Sequence, residues 1–285
     1  MTPIDSLKYI LHHPLSSRQP FEGVYRYLSW QARSRLQSEI VFDWISGAKL
    51  VVRRGMTGAT GNIYCGLHEF VDMAFLLHFL GPSDLLVDVG ANIGSYTILA
   101  SAVCGAQVVA IEPDPDTMAS LRRNIVVNGK QDAVETVQAA LGRSTGSVRF
   151  TIGRDTMNRI ATEDHDNLRS VALTTLDIVA KDRAPTLIKM DVEGFEGDVV
   201  AGGMNTFSSP SLLAVITEGG GIEVRKPLVN AGFVEFEYEP FSRRLTPVSA
   251  AKTNESHNVL FLRHPEVVQQ RVAAAPRRHV IGVEF

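Results

Sequence analysis

From Asp84 onward the chain alternates short apolar runs with amphipathic stretches, and that rhythm leaves few folds open to it. Leu85-Leu86-Val87-Asp88-Val89 is too short for a helix and lies between Gly81-Pro82-Ser83 and Gly90, as a strand buried in a parallel sheet would. The pattern predicts a helix at 95–103, a strand from Gln107 to Ile111, a helix from Pro115 to about Val127 capped by Asp114, and a strand from Val134 to Gln138. Ser147 to Ile152 and Val171 to Thr174 read as extra strands in an insertion. The rhythm returns with Thr186 to Met190, a helix from about Phe195, a strand from Leu212 to Thr217, a helix near 222–231, and strands at 233–238 and 258–262. This is an α/β fold: a doubly wound, mostly parallel sheet that ends in an antiparallel edge pair.

The flanks are less patterned. Val24, Leu28, Ala32, Leu36 and Ile40 recur every fourth residue, with Arg26, Arg33, Arg35 and Glu39 elsewhere, so an amphipathic helix is expected over 21–42. A β segment from Lys49 to Arg53, a Gly/Thr-rich turn region from Gly55 to Gly61, and a helix at 67–79 follow. Residues 265–285 carry little pattern and are expected to form a loosely attached tail. The chain thus divides into an N-terminal helical and β extension over 1–82, the α/β domain over 83–264, and the tail. Helix 21–42 offers a face to a partner subunit, which keeps a homo-oligomer open, although packing on its own domain is the simpler reading.

Bulk properties exclude several classes. A net charge of −3 over 285 residues gives no bias toward a nucleic acid. Cys65 and Cys104 lack metal-ligand spacing, and Cys104 falls in an expected buried helix, which suits a reducing cytoplasm. No basic, apolar leader opens the chain, and no run of about 18 apolar residues suggests a membrane span.

The turn after the first strand carries Gly90 and Gly94 before a helix, which lets a backbone approach a ligand near free N–H groups. Glu112 closes the second strand, where a doubly wound fold places a carboxylate on ribose hydroxyls. NAD fits badly, because G-x-G-x-x-G needs glycines where Asn92 and Ser95 stand. A ligand without phosphates fits better. S-adenosylmethionine (SAM) is one: an adenosine joined to a zwitterionic amino acid.

Leu86-Val87-Asp88-Val89-Gly90-Ala91-Asn92-Ile93-Gly94-Ser95-Tyr96-Thr97, then Ile111-Glu112-Pro113, then Leu187-Ile188-Lys189-Met190-Asp191-Val192-Glu193-Gly194-Phe195-Glu196 resemble the FkbM family of methyltransferases. Glu69, Ala140-Leu141-Gly142, Thr175-Leu176-Asp177, Glu218 and Asn258-Val259-Leu260 extend the resemblance over roughly residues 65–262. It implies a class I methyltransferase (Rossmann-like) fold and SAM-dependent O-methylation of a sugar, glycan or other natural product. It also implies that Asp88, Gly90, Asn92 and Gly94 line the methionine and ribose end of SAM. Glu112 then holds the ribose diol, Glu69 the cofactor's amino group, and Ala140 and Leu141 the adenine.

Methyl transfer needs a poor nucleophile positioned and relieved of its proton. Asp191 and Glu193 close the fourth strand and Glu218 the fifth, at the rim where such sheets bind ligands. Asp191 is the first choice for readying the hydroxyl, directly or through Mg²⁺ or Mn²⁺ shared with Glu193 and Glu218, whose ligand atoms are all hard oxygens. Lys189 is placed to pair with one of these acids, Glu196 reads as first-turn helix charge, and His257 is an outside candidate for the base.

Three motifs mislead. Gly142-Arg143-Ser144-Thr145-Gly146 imitates a hydrolase elbow but precedes a β segment and reads as a hairpin turn. His68-Glu69 starts like a zinc helix, yet Asp72 stands where the second His belongs. Asp114-Pro115-Asp116 is explained by helix capping. Two rival functions stay on the table: a non-catalytic SAM-fold binding or assembly protein, and an NAD-linked oxidoreductase.

Overall fold

The computed structural model describes residues 2–151, 160, 168–219, 221–248 and 258–285. Its centre is an eight-stranded sheet with strands numbered here in chain order. They are β1 (Leu85–Val89), β2 (Gln107–Ile111), β3 (Val134–Val137), β4 (Leu187–Met190), β5 (Ala214–Glu218), β6 (Val234–Glu239), β7 (Arg244–Pro247) and β8 (Asn258–Leu262). In space they run β7-β6-β8-β5-β4-β1-β2-β3. Strands β1 to β5 pair in parallel, while β8 enters antiparallel between β5 and β6, and β7 returns antiparallel on the outer edge. The expected α/β class stands. The expected antiparallel pair is β6 with β8, and β7 is an additional strand outside it.

The apolar runs are strands because both of their faces are covered. Leu86, Val108, Leu187 and Ile216 join one core with Phe75, Phe79, Leu121 and Ile125. Val87, Val109, Ile188 and Val215 join another with Val199, Val200, Phe207 and Leu228. The first core also takes in Ile10, Tyr27 and Trp30 from the N-terminal segment and Val268, Val272 and Phe285 from the end of the chain.

Four expectations need correcting. The helix expected over 21–42 spans Pro20–Leu36, and Ile40 begins a strand, Ile40–Asp43, paired with Lys49–Val52. Its buried side carries Gly23, Tyr27, Trp30 and Ser34, whereas Leu28 and Leu36 are 58% and 86% exposed. Small and aromatic residues make this contact: a Cβ at Gly23 would stand 2.7 Å from Ile10 Cγ2. The Gly/Thr-rich turn region keeps a turn at Gly55, with φ +100°, but from Thr57 it is part of a helix, Thr57–Cys65, where Gly61 packs closely on His68.

The tail is tightly held. It forms a helix, Pro265–Ala274, and a two-stranded ribbon, and Phe285 is fully buried with its ring 5.2 Å from that of Phe70. Buried Arg243 donates to the carbonyls of Ala273, Ala275, Pro276 and Phe285. Finally, Gly142 to Gly146 is not a hairpin turn. It joins Ala140–Leu141 to Gly146–Thr151, and both of those strands pair with Leu168–Thr174 between them. Among the described residues no helix is long and apolar enough to cross a membrane.

Candidate functional site

The parallel strands point their carboxyl ends at a cavity of about 390 Å³, within the size range of small-molecule sites. The turn after β1 forms its floor. The N–H groups of Gly90 and Ala91 both donate to the Ile111 carbonyl, at 3.0 and 2.9 Å, and pin the turn to β2. Gly90 has φ +75°, and a Cβ there would lie 1.9 Å from the Asp191 carbonyl oxygen. Only glycine lets the ends of β1 and β4 close together. Asn92 takes a left-handed φ of 51°, with its Oδ1 accepting from the Ile93 N–H at 2.7 Å. Gly94 faces Leu121, whose Cδ1 would be 2.5 Å from an added Cβ, so it serves helix packing.

Gly90, Ala91 and Asn92 line the cavity, while Asp88 and Gly94 stand behind its wall. Asp88 is buried, accepts from Thr97 Oγ1 at 2.6 Å, and is pushed up by burial. Glu112 does face the cavity. Its two oxygens accept from the N–H groups of Asn92 (3.0 Å) and Asp114 (2.9 Å), and burial pushes its carboxyl up to about 7. Asp114 itself caps the next helix by accepting from the Thr117 N–H at 2.9 Å. Beyond Glu112 the wall turns apolar: Ala140 and Leu141 are joined by Phe150, Ile160 and Phe195. Phe150 and Ile160 escaped sequence reasoning, since nothing in the insertion's pattern aims them at the site.

The opposite rim is charged. Lys189, buried inside β4, donates from Nζ to Asp191 Oδ2 at 2.8 Å and stands 4.7 Å from the centre of the Tyr96 ring. Burial works against the Asp191 carboxylate, but the Lys189 ammonium outweighs it and holds the group below its ordinary range. Asp191, Glu193 and Glu218 bring carboxylate oxygens within 4.8 Å of one another. Glu218 is pushed up to about 8 by desolvation and by the charge of Asp191. These hard oxygens also suit a divalent cation. Glu196 has a different task from generic helix charge: buried, it accepts from the N–H groups of Val192 (3.2 Å) and Gly194 (3.3 Å) and closes the loop after Asp191.

Glu69 lines the cavity from the N-terminal side. It accepts from Tyr96 Oη at 2.8 Å and from Asn258 Nδ2 at 3.2 Å, and Asn258 also donates to Asp72 at 2.8 Å. Burial raises Asp72 to about 7. His257 lies outside the described residues. His68, dismissed as a false zinc motif, lines the cavity next to Glu69.

Residues 88–242 match the methyltransferase FkbM domain. The hexuronic acid methyltransferase AglP of Haloferax volcanii is 29% identical over 148 residues, which are 51% of this chain and 60% of that protein. A solved structure of methyltransferase FkbM from Methylobacillus flagellatus is 18% identical, with a TM-score of 0.44 over 66% of this chain and 47% of its own. A precorrin-6Y C5,15-methyltransferase from Geobacter metallireducens is 11% identical, with a TM-score of 0.41 over 67% of this chain and 85% of its own.

Proposed function

The chain belongs to the FkbM methyltransferase family, and from that premise we propose that it transfers the methyl group of SAM to a hydroxyl of a sugar, glycan or similarly hydroxylated product. SAM supplies a methyl carbon made electrophilic by its sulfonium. The observation that carries the reading is the pairing of two unlike walls in one cavity. One wall is a backbone turn with a buried carboxylate suited to a ribose diol, and the other is a rim of acids suited to an acceptor hydroxyl.

The residues divide the work. The turn from Gly90 to Asn92 and the Glu112 carboxylate hold the ribose and methionine end, with Glu69 facing the amino group. Ala140, Leu141 and Phe150 would offer the adenine apolar contact. Asp191, kept ionised by Lys189, readies the acceptor hydroxyl by accepting its hydrogen bond, or through a divalent cation shared with Glu193 and Glu218. Transfer requires acceptor oxygen, methyl carbon and sulfur in line, and positioning of that kind is worth up to about 7–11 kcal/mol.

A saccharide acceptor is favoured because the curated relative acts on a hexuronic acid. A net charge of −3 argues against a nucleic acid, and the two free, buried cysteines suit a reducing cytoplasm. The test is a panel of sugars, uronic acids, nucleotide-sugars and polyphenols incubated with methyl-labelled SAM. Transfer of label into an alkali-stable methyl ether is expected. Alkali-labile label would mean a carboxylate acceptor, and binding of SAM with no transfer to any acceptor would favour a non-catalytic module.

A further inference from the structure

The methyl-transfer reading leaves one proton without a destination. Asp191 is ionised and already bonded to Lys189 at 2.8 Å, which makes it a good hydrogen-bond acceptor and a poor base. A cation bound to the rim's acids would occupy the same lone pairs. The rim therefore orients a hydroxyl better than it strips one.

We propose that His68 is the catalytic base that takes the acceptor's proton, through Nε2. The tautomer follows from hydrogen bonds. Tyr9 Oη lies 2.7 Å from the His68 carbonyl oxygen and 2.7 Å from His68 Nδ1. A phenol has one proton, and a carbonyl can only accept, so that proton belongs to the carbonyl. Nδ1 must then carry the ring's hydrogen and donate it to Tyr9 Oη. The lone pair is left on Nε2, the form a general base needs.

The ring's pose follows from packing. A Cβ on Gly61 would stand 2.3 Å from Nδ1, 2.7 Å from Cγ and 3.0 Å from Cε1, so helix Thr57–Cys65 walls that side of the imidazole. His68 lines the cavity, and with Nδ1 engaged by Tyr9 and one ring face covered by Gly61, Nε2 is the ring nitrogen we assign to it. The backbone is fixed too. The His68 N–H donates to Asn62 Oδ1 at 2.8 Å, and Asn62 Nδ2 donates to Ser95 Oγ at 3.0 Å, tying His68 to the turn beside the cofactor site.

The titratable groups facing His68 are Tyr9, His13 and Glu69. Burial raises Tyr9, so it stays protonated, and lowers His13 to about 4, so it stays neutral. Burial also lowers His68, partly offset by the Glu69 charge, which leaves a neutral imidazole to accept a proton. In the step, the acceptor oxygen forms its bond to the methyl carbon while the carbon–sulfur bond breaks and its electron pair stays on sulfur. The O–H bond breaks and its proton passes to Nε2. The imidazolium so formed sits beside the Glu69 carboxylate and later releases its proton to solvent.

This assignment rests on the methyl-transfer reading, and a two-part experiment separates their fates. First, ¹⁵N NMR of histidine-labelled full-length chain reads the tautomer without any acceptor. The Nδ1–H form is expected for His68 at neutral pH, with the lock loosened in Tyr9→Phe, and an Nε2–H form would overturn the assignment. Second, His68→Gln is compared with wild type by calorimetry with SAM and by turnover on an acceptor found active. A fall in kcat of about 10²–10⁴-fold is expected, with SAM affinity held within about twofold. Near-normal kcat overturns the base. An equal loss of SAM affinity also overturns it by making His68 a cofactor ligand. A wild type that methylates nothing on the panel ends the methyl-transfer reading and this assignment with it, whereas an active wild type matched by an active His68→Gln ends this assignment alone.

Discussion

Where β1 and β2 end, the cavity wall is mostly backbone: a turn pinned by N–H groups and one carboxylate, Glu112, that accepts two more. Where β4 and β5 end, the wall is side-chain charge: Lys189, Asp191, Glu193 and Glu218 balancing one another. The first wall has a shape fixed by the fold itself, which suits a ligand that never varies. The second is a set of adjustable charges, suited to orienting a variable acceptor. Affinity for SAM and turnover should therefore fail separately when each wall is altered.

The largest effect is expected where the two walls meet. Gly90→Val places a branched side chain at φ +75° against the Asp191 carbonyl, with its Cβ only 1.9 Å from that oxygen. Folding should suffer by roughly 3 kcal/mol or more, read as a large drop in melting temperature. A variant that melts like wild type and merely loses SAM would show that this glycine serves the ligand rather than the strand junction.

Next comes Asp191→Asn, which keeps the shape but loses the charge that faces Lys189. Turnover should fall at least about a hundredfold while SAM affinity changes little. A matching loss of SAM affinity would dissolve the distinction between the walls. EDTA on the wild type sharpens the same point: lost activity, restored by Mg²⁺ or Mn²⁺, assigns a cation to the acids, and indifference assigns them direct hydrogen bonding.

On the cofactor side, Glu112→Ala should weaken SAM binding by about 1–3 kcal/mol by leaving ribose hydroxyls without a charged acceptor. The smallest effect is one of pH. Burial pushes the Glu112 carboxyl up to about 7, above the ordinary carboxylate value, and a ribose diol bound there would donate to its ionised form. SAM binding should then release a proton and weaken by about tenfold between pH 8 and pH 6, as the ionised fraction falls. Calorimetry across that range tests it, and the slope should vanish in Glu112→Ala.

The contrast between the walls also explains what the sequence revealed. The β1 turn, Glu112 and the Lys189-to-Glu193 strand end are each contiguous, so strand rhythm and local motif exposed them. Asn258, Phe150 and the Tyr9–His68 pair come together only through tertiary packing, and no local pattern marks their meeting. The helix Pro20–Leu36 misled for a related reason: its aliphatic residues repeat every fourth position, yet Gly23, Tyr27 and Trp30 make the contact. The tail was unreadable because Arg243 grips carbonyl oxygens, which every residue has.

Whether the cavity is a SAM site is tested by calorimetric titration of the wild-type chain with SAM and, separately, with NAD. Saturable one-to-one binding of SAM near micromolar affinity is expected, with NAD giving no comparable heat. Tighter binding of NAD, or no binding of SAM, would contradict a SAM site.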